Sequence, residues 1–516
     1  MPIPIRFNSR SVLMLLGSLV SLSLVAAQPQ FTQETEVVVV GAGMAGLSAT
    51  VALANEGASV ILLEQNPFPG GTANAAEGVF GVGSRFQRDH YYGPPMMDKD
   101  EVFHHEMAYN HWMGNAPMMK AFVDQSGDTI NWFEDQGVKF EEVAQTTYTG
   151  IRTWHVPVGH GAGLIRVLFG KAKQSPTVKV FMETEGTGLI TDDQKRVIGV
   201  TAKGKAGEMR IRAKAVILAT GGFGDNLEMV KRYHGNAFTG TVANFHKMGF
   251  GINACMKLGA KTEGMATLMN TAVYDKKKSA KMGMANPVDL EFDAMGQQPM
   301  NVMVNNNGER FCDEIIANDF VLQSNAIERQ PTSSAWIIFS EDQRKRYANE
   351  GTDAGMGVII PIGTKLKKMD GAIDGYIAAG DRNLYSADTV EELAAKIKVP
   401  ADVLKRTLET YNHDCEVNHD SGFGKKPFFM RKLNGKLYAM HEVLSYLTTV
   451  GGVVVNKHFQ PLDASDRPIQ GVYVTGVDVG GLYGDSYGLD SPGTSMGFAA
   501  GSGRMAAAEI LKSLKK

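Results

Sequence analysis

Between Glu36 and Glu64 the chain spells out a complete structural unit. Val37–Val40 is an uninterrupted valine run, as a strand buried on both faces of a parallel sheet requires. Gly41-Ala42-Gly43-Met44-Ala45-Gly46 follows in the spacing GxGxxG. Leu47–Asn55 then reads as a helix of apolar and small residues that Gly57 stops. Ser59–Leu63 is a second buried strand, and Glu64 stands at its end, 23 residues after Gly41. Strand, glycines, helix, strand and acid in that order predict a dinucleotide-binding βαβ unit. Gly41 permits the tight turn, Gly43 lets a pyrophosphate approach backbone N–H groups, and Gly46 lets helix and strand close on each other. The helix N-terminus, around Ala45, faces the phosphates, and Glu64 accepts from a ribose hydroxyl.

The rest of the chain repeats this glycine-rich style at intervals. Glycine is 58 of 516 residues, about 11% against a usual ~7%, and the excess is clustered, as ligand loops require. Gly70-Gly71-Thr72-Ala73-Asn74 follows Glu64 closely. Ala215–Thr220 is another buried strand that runs into Gly221-Gly222, and Val472–Thr475 enters Gly476 in the same manner. Ser491–Gly497 contains Thr494-Ser495-Met496 and precedes an alanine-rich helix, Phe498–Leu511, whose first N–H groups suit the electron-rich edge of a reduced flavin. A net charge of −3 provides no basic field for nucleic acid. Three cysteines, far apart, exclude a disulfide framework and give no CxxC or CxxCH motif. His104, His105 and His111 lack the spacing of a metal site, so no metal is expected.

These motifs, VVVVGAGMAGLSA…LLEQ, GGTANAAEG, ILATGGFG, NNNGERFCDE, TVGGVVVN and GVYVTGVDVGG, resemble the fumarate reductase/succinate dehydrogenase flavoprotein superfamily over residues 34–516. The resemblance implies an α/β fold: a Rossmann-like FAD-binding domain split by an inserted α+β capping domain. It implies FAD across Gly41–Gly46, Glu64, Gly70–Asn74, Thr220–Gly222 and Thr494–Met496, with Asp478 near the ribityl chain. The chain is similar to the exported single-subunit branch, which reduces an activated C=C bond: hydride passes from flavin N5 to one carbon, and a protein acid protonates its neighbour.

The family's substrate residues are replaced. Asn318 stands where the family carries a catalytic arginine, Leu447 and Thr448 where it carries a histidine pair, and Gly484–Pro492 lacks the second carboxylate-binding arginine. Val477, followed by Asp478, occupies the family's glutamate position. Arginine is the natural bidentate clamp for a carboxylate, so its loss argues against fumarate and against dicarboxylates generally. The loop Tyr483-Gly484-Asp485-Ser486-Tyr487 offers the replacement proton donor, with Tyr487 first, Tyr483 and then Asp485 or Asp490 behind it, and with Tyr446 as a further pocket residue. The expected activity is FAD-dependent reduction of an enone or α,β-unsaturated acid. The reverse dehydrogenation, as in the related ketosteroid dehydrogenases, and a non-catalytic flavin-binding role are the alternatives.

Arg6 and Arg10 before the apolar run Val12–Leu24, with Val25-Ala26-Ala27 after it, read as a signal peptide over residues 1–27 cleaved after Ala27. Export to the periplasm is the expectation, with no stable membrane insertion once the leader is removed. The expected segments are 28–268 for the first part of the FAD domain, 269–446 for the cap and 447–516 for the return to the FAD domain. Glu341–Asn349 and Thr389–Tyr411 are the clearest cap helices. With neither haem motif nor second nucleotide site in view, electrons are expected from an external donor such as a cytochrome c or a membrane flavoprotein.

Overall fold

The computed structural model describes residues 30–90, 98–145, 150–243, 245–275, 287–355, 357 and 360–515; the expected leader, residues 1–27, lies outside them. Two sheets organise the chain. The first has seven strands, and its parallel part runs Val178–Phe181, Val60–Leu63, Gln33–Val40, Gly207–Leu218 and Val472–Val474. Val197–Gly204 and Glu185–Thr191 extend it antiparallel. Val37, Val38 and Val39 are fully buried, which explains the unbroken valine run. The register aligns Val40 with Leu63 and Leu218, and Leu218 with Val474. Gly41, Glu64, Ala219 and Thr475 therefore all leave the sheet at its carboxyl edge, where open α/β sheets bind their ligands. Helix Met44–Asn55 packs on the last helix, Thr494–Leu514, so closely that a Cβ on Gly503 would lie 2.2 Å from the Ala45 carbonyl oxygen.

The second sheet has six strands with Leu437–Thr449 as its spine. The spine pairs antiparallel with Ser334–Ser340 and Leu384–Ala387 along its first half, and with Leu268–Tyr274 along its second. Val302–Val304 extends the Ser334–Ser340 side. Phe238–Thr241 pairs parallel with Leu444 and Tyr446. This sheet thus begins before residue 269 and ends after residue 446. The sequence FTGT carries no alternating pattern and draws its strand conformation from the spine beside it, so its membership is a tertiary effect.

Helix Glu341–Asn349 forms as expected, with a capping box between Ser340 and Gln343. The expected helix Thr389–Tyr411 is instead two, Val390–Ile397 and Ala401–Val417. Lys398 turns left-handed at φ 60°, and Pro400 cannot donate within a continuing helix. No helix among the described residues is long and apolar enough to cross a membrane.

Candidate active site

A cavity of about 360 Å³ separates the carboxyl edge of the first sheet from a wall of the second. Gly41, Gly43, Ala45, Glu64, Gly70, Gly71, Thr72, Thr220, Gly221, Ser495 and Met496 line the first side; Met269, Thr271, Val273, Leu447 and Thr448 line the other.

The three motif glycines have distinct reasons to be glycine. A Cβ on Gly41, whose φ is +104°, would sit 2.3 Å from the Ala219 carbonyl oxygen. One on Gly46 would sit 1.8 Å from the carbonyl oxygen of Gly41. Gly43 is different: its φ is an ordinary −78°, and the nearest protein atom to its added Cβ is the Gly70 oxygen, 3.8 Å away. No protein contact demands glycine there. A Cβ would instead fill the cradle at the start of helix Met44–Asn55, which is the place a pyrophosphate takes against backbone N–H groups.

Two buried carboxylates hold the loops around this cradle. Glu64, 5% exposed, accepts from the Ala42 amide (2.9 Å) and the Asn66 amide (2.8 Å). Burial pushes its carboxyl above the ordinary value, against the pull of those amides. It therefore braces the glycine turn as well as facing the cavity. Asp478 does not face the cavity. It is fully buried and accepts from the Thr220 amide (2.5 Å), the Thr220 hydroxyl (2.8 Å) and the Gly222 amide (2.8 Å), so its part is to hold the turn Thr220–Gly222, and Val477 lines the cavity in its place. Asn74, Gly222 and Thr494 also lie behind the lining. Asn74 donates to the Pro69 carbonyl (2.8 Å) and shapes its own loop.

The tyrosine loop divides its three candidates. Tyr487 lines the cavity and is 2% exposed. Its hydroxyl oxygen accepts from the Ser495 amide at 3.3 Å, in the first turn of helix Thr494–Leu514. That helix begins at Thr494, ahead of the expected Phe498, so its N-terminus reaches the cavity. Burial raises the Tyr487 hydroxyl to about 12, while the Thr494 hydroxyl and the Ser495 amide oppose the rise. Tyr483 does not line the cavity; it packs under Tyr487 with ring centroids 4.9 Å apart. Asp485 faces outward, half exposed and 3.0 Å from His111 Nδ1, which removes it from contact with anything in the cavity. Behind the loop, Glu106 is fully enclosed: burial raises its carboxyl to about 8, Ser491 opposes and Asp490 adds to the rise.

Residues 36–493 match the family model described as the FAD binding domain. The chain is 32% identical over 476 residues to the vinyl phenol reductase of Lactiplantibacillus plantarum, covering 91% of this chain and 94% of that protein. This chain belongs to that FAD-binding family. Among solved structures, the open conformation of a flavocytochrome c3 fumarate reductase is 26% identical with a TM-score of 0.68, over 93% of this chain and 78% of that one. A 3-ketosteroid Δ1-dehydrogenase from Sterolibacterium denitrificans has a TM-score of 0.75 at 20% identity, over 93% of this chain and all of that one, a likeness of fold.

As a family member the protein binds FAD and is an oxidoreductase of CH–CH bonds. The cradle at Gly43, where no protein atom lies within 3.8 Å of an added Cβ, suits the close backbone approach of the FAD pyrophosphate. The motifs left several lining residues unmarked: Trp154, Phe245, Lys247, Met269, Thr271, Asp293 and Phe320. They are scattered over strands, loops and two helices, Pro287–Gly296 and Phe320–Glu328, with no shared spacing to betray them, and only the tertiary fold gathers them. Asn318, at the place of the family's arginine, does not line the cavity, whereas Phe320 does.

Proposed function

We propose that this protein reduces the conjugated C=C bond of an apolar substrate that carries no carboxylate, an enone or a vinyl phenol, with Tyr487 as proton donor. The observation that carries this is the lining: among the described residues no arginine or histidine faces the cavity, and Tyr487 does. Nothing there matches a carboxylate bidentately. Vinyl phenols, named for the 32%-identical relative, are of this apolar, conjugated class.

Reduced FAD, when bound, would supply the hydride. Tyr487 gives its phenolic proton to the carbon beside the one that takes the hydride. The phenolate left behind accepts from the Ser495 amide at a helix N-terminus, where negative charge is favoured. The apolar side chains Met269, Val273, Leu447 and Phe320 exclude water from this exchange. Residues 238–449, which carry the second sheet, act as a cap over the flavin. Glu64, Gly43, Ser495 and Met496 contact the cofactor, and Glu64→Ala weakens its binding by roughly 1–3 kcal/mol. The same proposal includes export by residues 1–27, which N-terminal sequencing of the exported protein tests by starting at Gln28, and an external cytochrome or flavoprotein as electron donor.

The experiment is anaerobic reoxidation of the chemically reduced flavin by 4-vinylphenol and by a set of enones. Tyr487→Phe keeps its ring packing and its flavin but loses ~10²–10⁴ in reoxidation rate, the span of a lost general acid. Tyr483→Phe controls for damage to the loop. Reoxidation of Tyr487→Phe at the wild-type rate rejects the assignment.

A further inference from the structure

Lys247 is the one cationic side chain lining the cavity among the described residues. It is 4% exposed. Its Nζ donates to the Leu447 carbonyl at 3.0 Å. Asp225, the acid whose charge acts on it, uses Oδ2 to accept the backbone amides of Phe245 (3.1 Å) and Lys247 itself (2.6 Å). Burial draws the ammonium down to about 8, with Asp225 opposing. An ammonium has three donors, and a single carbonyl leaves it short of partners, with the Asp225 charge acting on it only partly against its burial. A buried cation in that condition is costly unless something anionic meets it.

We infer that Lys247 is the oxyanion anchor of the substrate: its ammonium takes the phenolate or enolate oxygen at the far end of the conjugated system. This rests on the proposal of a conjugated, carboxylate-free substrate and narrows it to one that carries an ionisable or electron-accepting oxygen. An oxygen anion is matched by one point charge, whereas a carboxylate calls for the fork that the lining lacks. The anchor also serves the chemistry. In an enone, electrons displaced by hydride addition collect on that oxygen as an enolate, so a cation there stabilises the charge until Tyr487 protonates the neighbouring carbon.

The test uses binding to the oxidised holoprotein and needs no turnover. 4-Nitrophenolate and its uncharged ether, 4-nitroanisole, share shape and differ in the anionic oxygen. The wild type binds the phenolate more tightly than the ether, and Lys247→Met removes about 10- to 100-fold of phenolate affinity, the worth of one hydrogen bond to a charged group, while leaving the ether nearly unchanged. Lys247→Arg keeps the preference for the anion. Equal affinity of the wild type for both probes overturns the assignment without any variant. So does equal weakening of both probes, or loss of flavin absorbance in Lys247→Met, which would give the ammonium to the cofactor. Phenolate selectivity in a protein that reduces no alkene would leave this anchor standing and sink the proposed reaction instead.

Discussion

Two buried carboxylates beside the first sheet and one beside the second are held by different means. On the nucleotide side, Glu64 and Asp478 are met by backbone amides: Ala42 and Asn66 for the first, Thr220 and Gly222 for the second. On the side of the second sheet, Glu314 takes one backbone amide, from Met303 at 3.2 Å, and is otherwise met by side-chain cations. Arg310 bonds it at 2.9 and 2.8 Å, Lys425 at 3.1 Å, and Arg310 also reaches Asp420 at 2.8 Å. Glu314 and Lys425 are both fully buried. Burial pushes Glu314 up, but Lys425 and Arg310 outweigh it and hold its carboxyl below the ordinary value. The lesson is one of purpose. Amides fixed by a turn position a loop around a ligand at no cost in side-chain entropy, whereas paired charges hold distant segments of a scaffold together.

The backbone solution breaks hardest where backbone is crowded. Gly46→Ala forces a Cβ to 1.8 Å from the Gly41 carbonyl oxygen, which lies beyond the ~3 kcal/mol at which overpacking is ordinarily absorbed. No soluble, flavin-bearing protein is expected from it. Gly43→Ala has 3.8 Å of clearance from protein atoms, so the apoprotein melts like wild type and the loss, about 1–3 kcal/mol, appears in the FAD titration alone. If Gly43→Ala lowers apoprotein melting as Gly46→Ala does, the cradle is a packing feature and not a phosphate site.

The side-chain solution breaks next. Arg310, Lys425, Glu314 and Asp420 balance in charge. Glu314→Gln leaves one buried positive charge without a counter-ion and should cost ~3–5 kcal/mol in chemical denaturation. FAD affinity of the surviving folded fraction stays at the wild-type value, because none of the four lines the cavity. A fall in flavin affinity that matches the loss of stability would join the two halves that the comparison separates.

That contrast also governs what was legible in the sequence. Gly41, Gly46 and Glu64 occupy positions that backbone geometry dictates, so spacing alone marks them. Asp478 was legible only through resemblance, as the acid next to the family's glutamate position at Val477, and its side chain turns from the cavity because the Thr220 and Gly222 amides meet it first. The strand Phe238–Thr241 was invisible because its pairing with the spine is its only cause. Lys247 and Asp293 were invisible because each comes alone, on a segment with no periodic signature, and only the closure of one sheet over the other brings them to the cavity. The tyrosine loop was half legible: its neighbourhood to the flavin followed from the flanking motifs, but which hydroxyl faces inward depends on the early start of helix Thr494–Leu514.

Glu106 follows neither solution, and its effect depends on pH. No amide or cation among the described residues bonds it, and its Oε1 has no hydrogen-bond partner there. Burial, with Asp490 adding and Ser491 opposing, raises it from 4.5 to about 8, so it stays protonated near neutrality. Tyr483, Tyr487 and Tyr109 also lie within its field. Below pH 4.5 the group is protonated folded or unfolded and contributes nothing to the pH dependence. Between 4.5 and about 8 the unfolded chain releases this proton and the folded chain keeps it. The folded state then binds more protons, so stability falls as pH rises, by at most about 1.4 kcal/mol per pH unit from this group. Glu106→Gln replaces the neutral acid with a neutral isostere and removes that slope. Its melting temperature should match wild type near pH 5 and exceed it by a growing margin toward pH 8. Asp420, held down to about 2 by Arg310 against its burial, slopes the other way and only in acid, where its contribution is lost as pH falls. Parallel melting curves for Glu106→Gln and wild type from pH 5 to 8 would mean that Glu106 is ionised in the folded protein and has found a counter-charge after all.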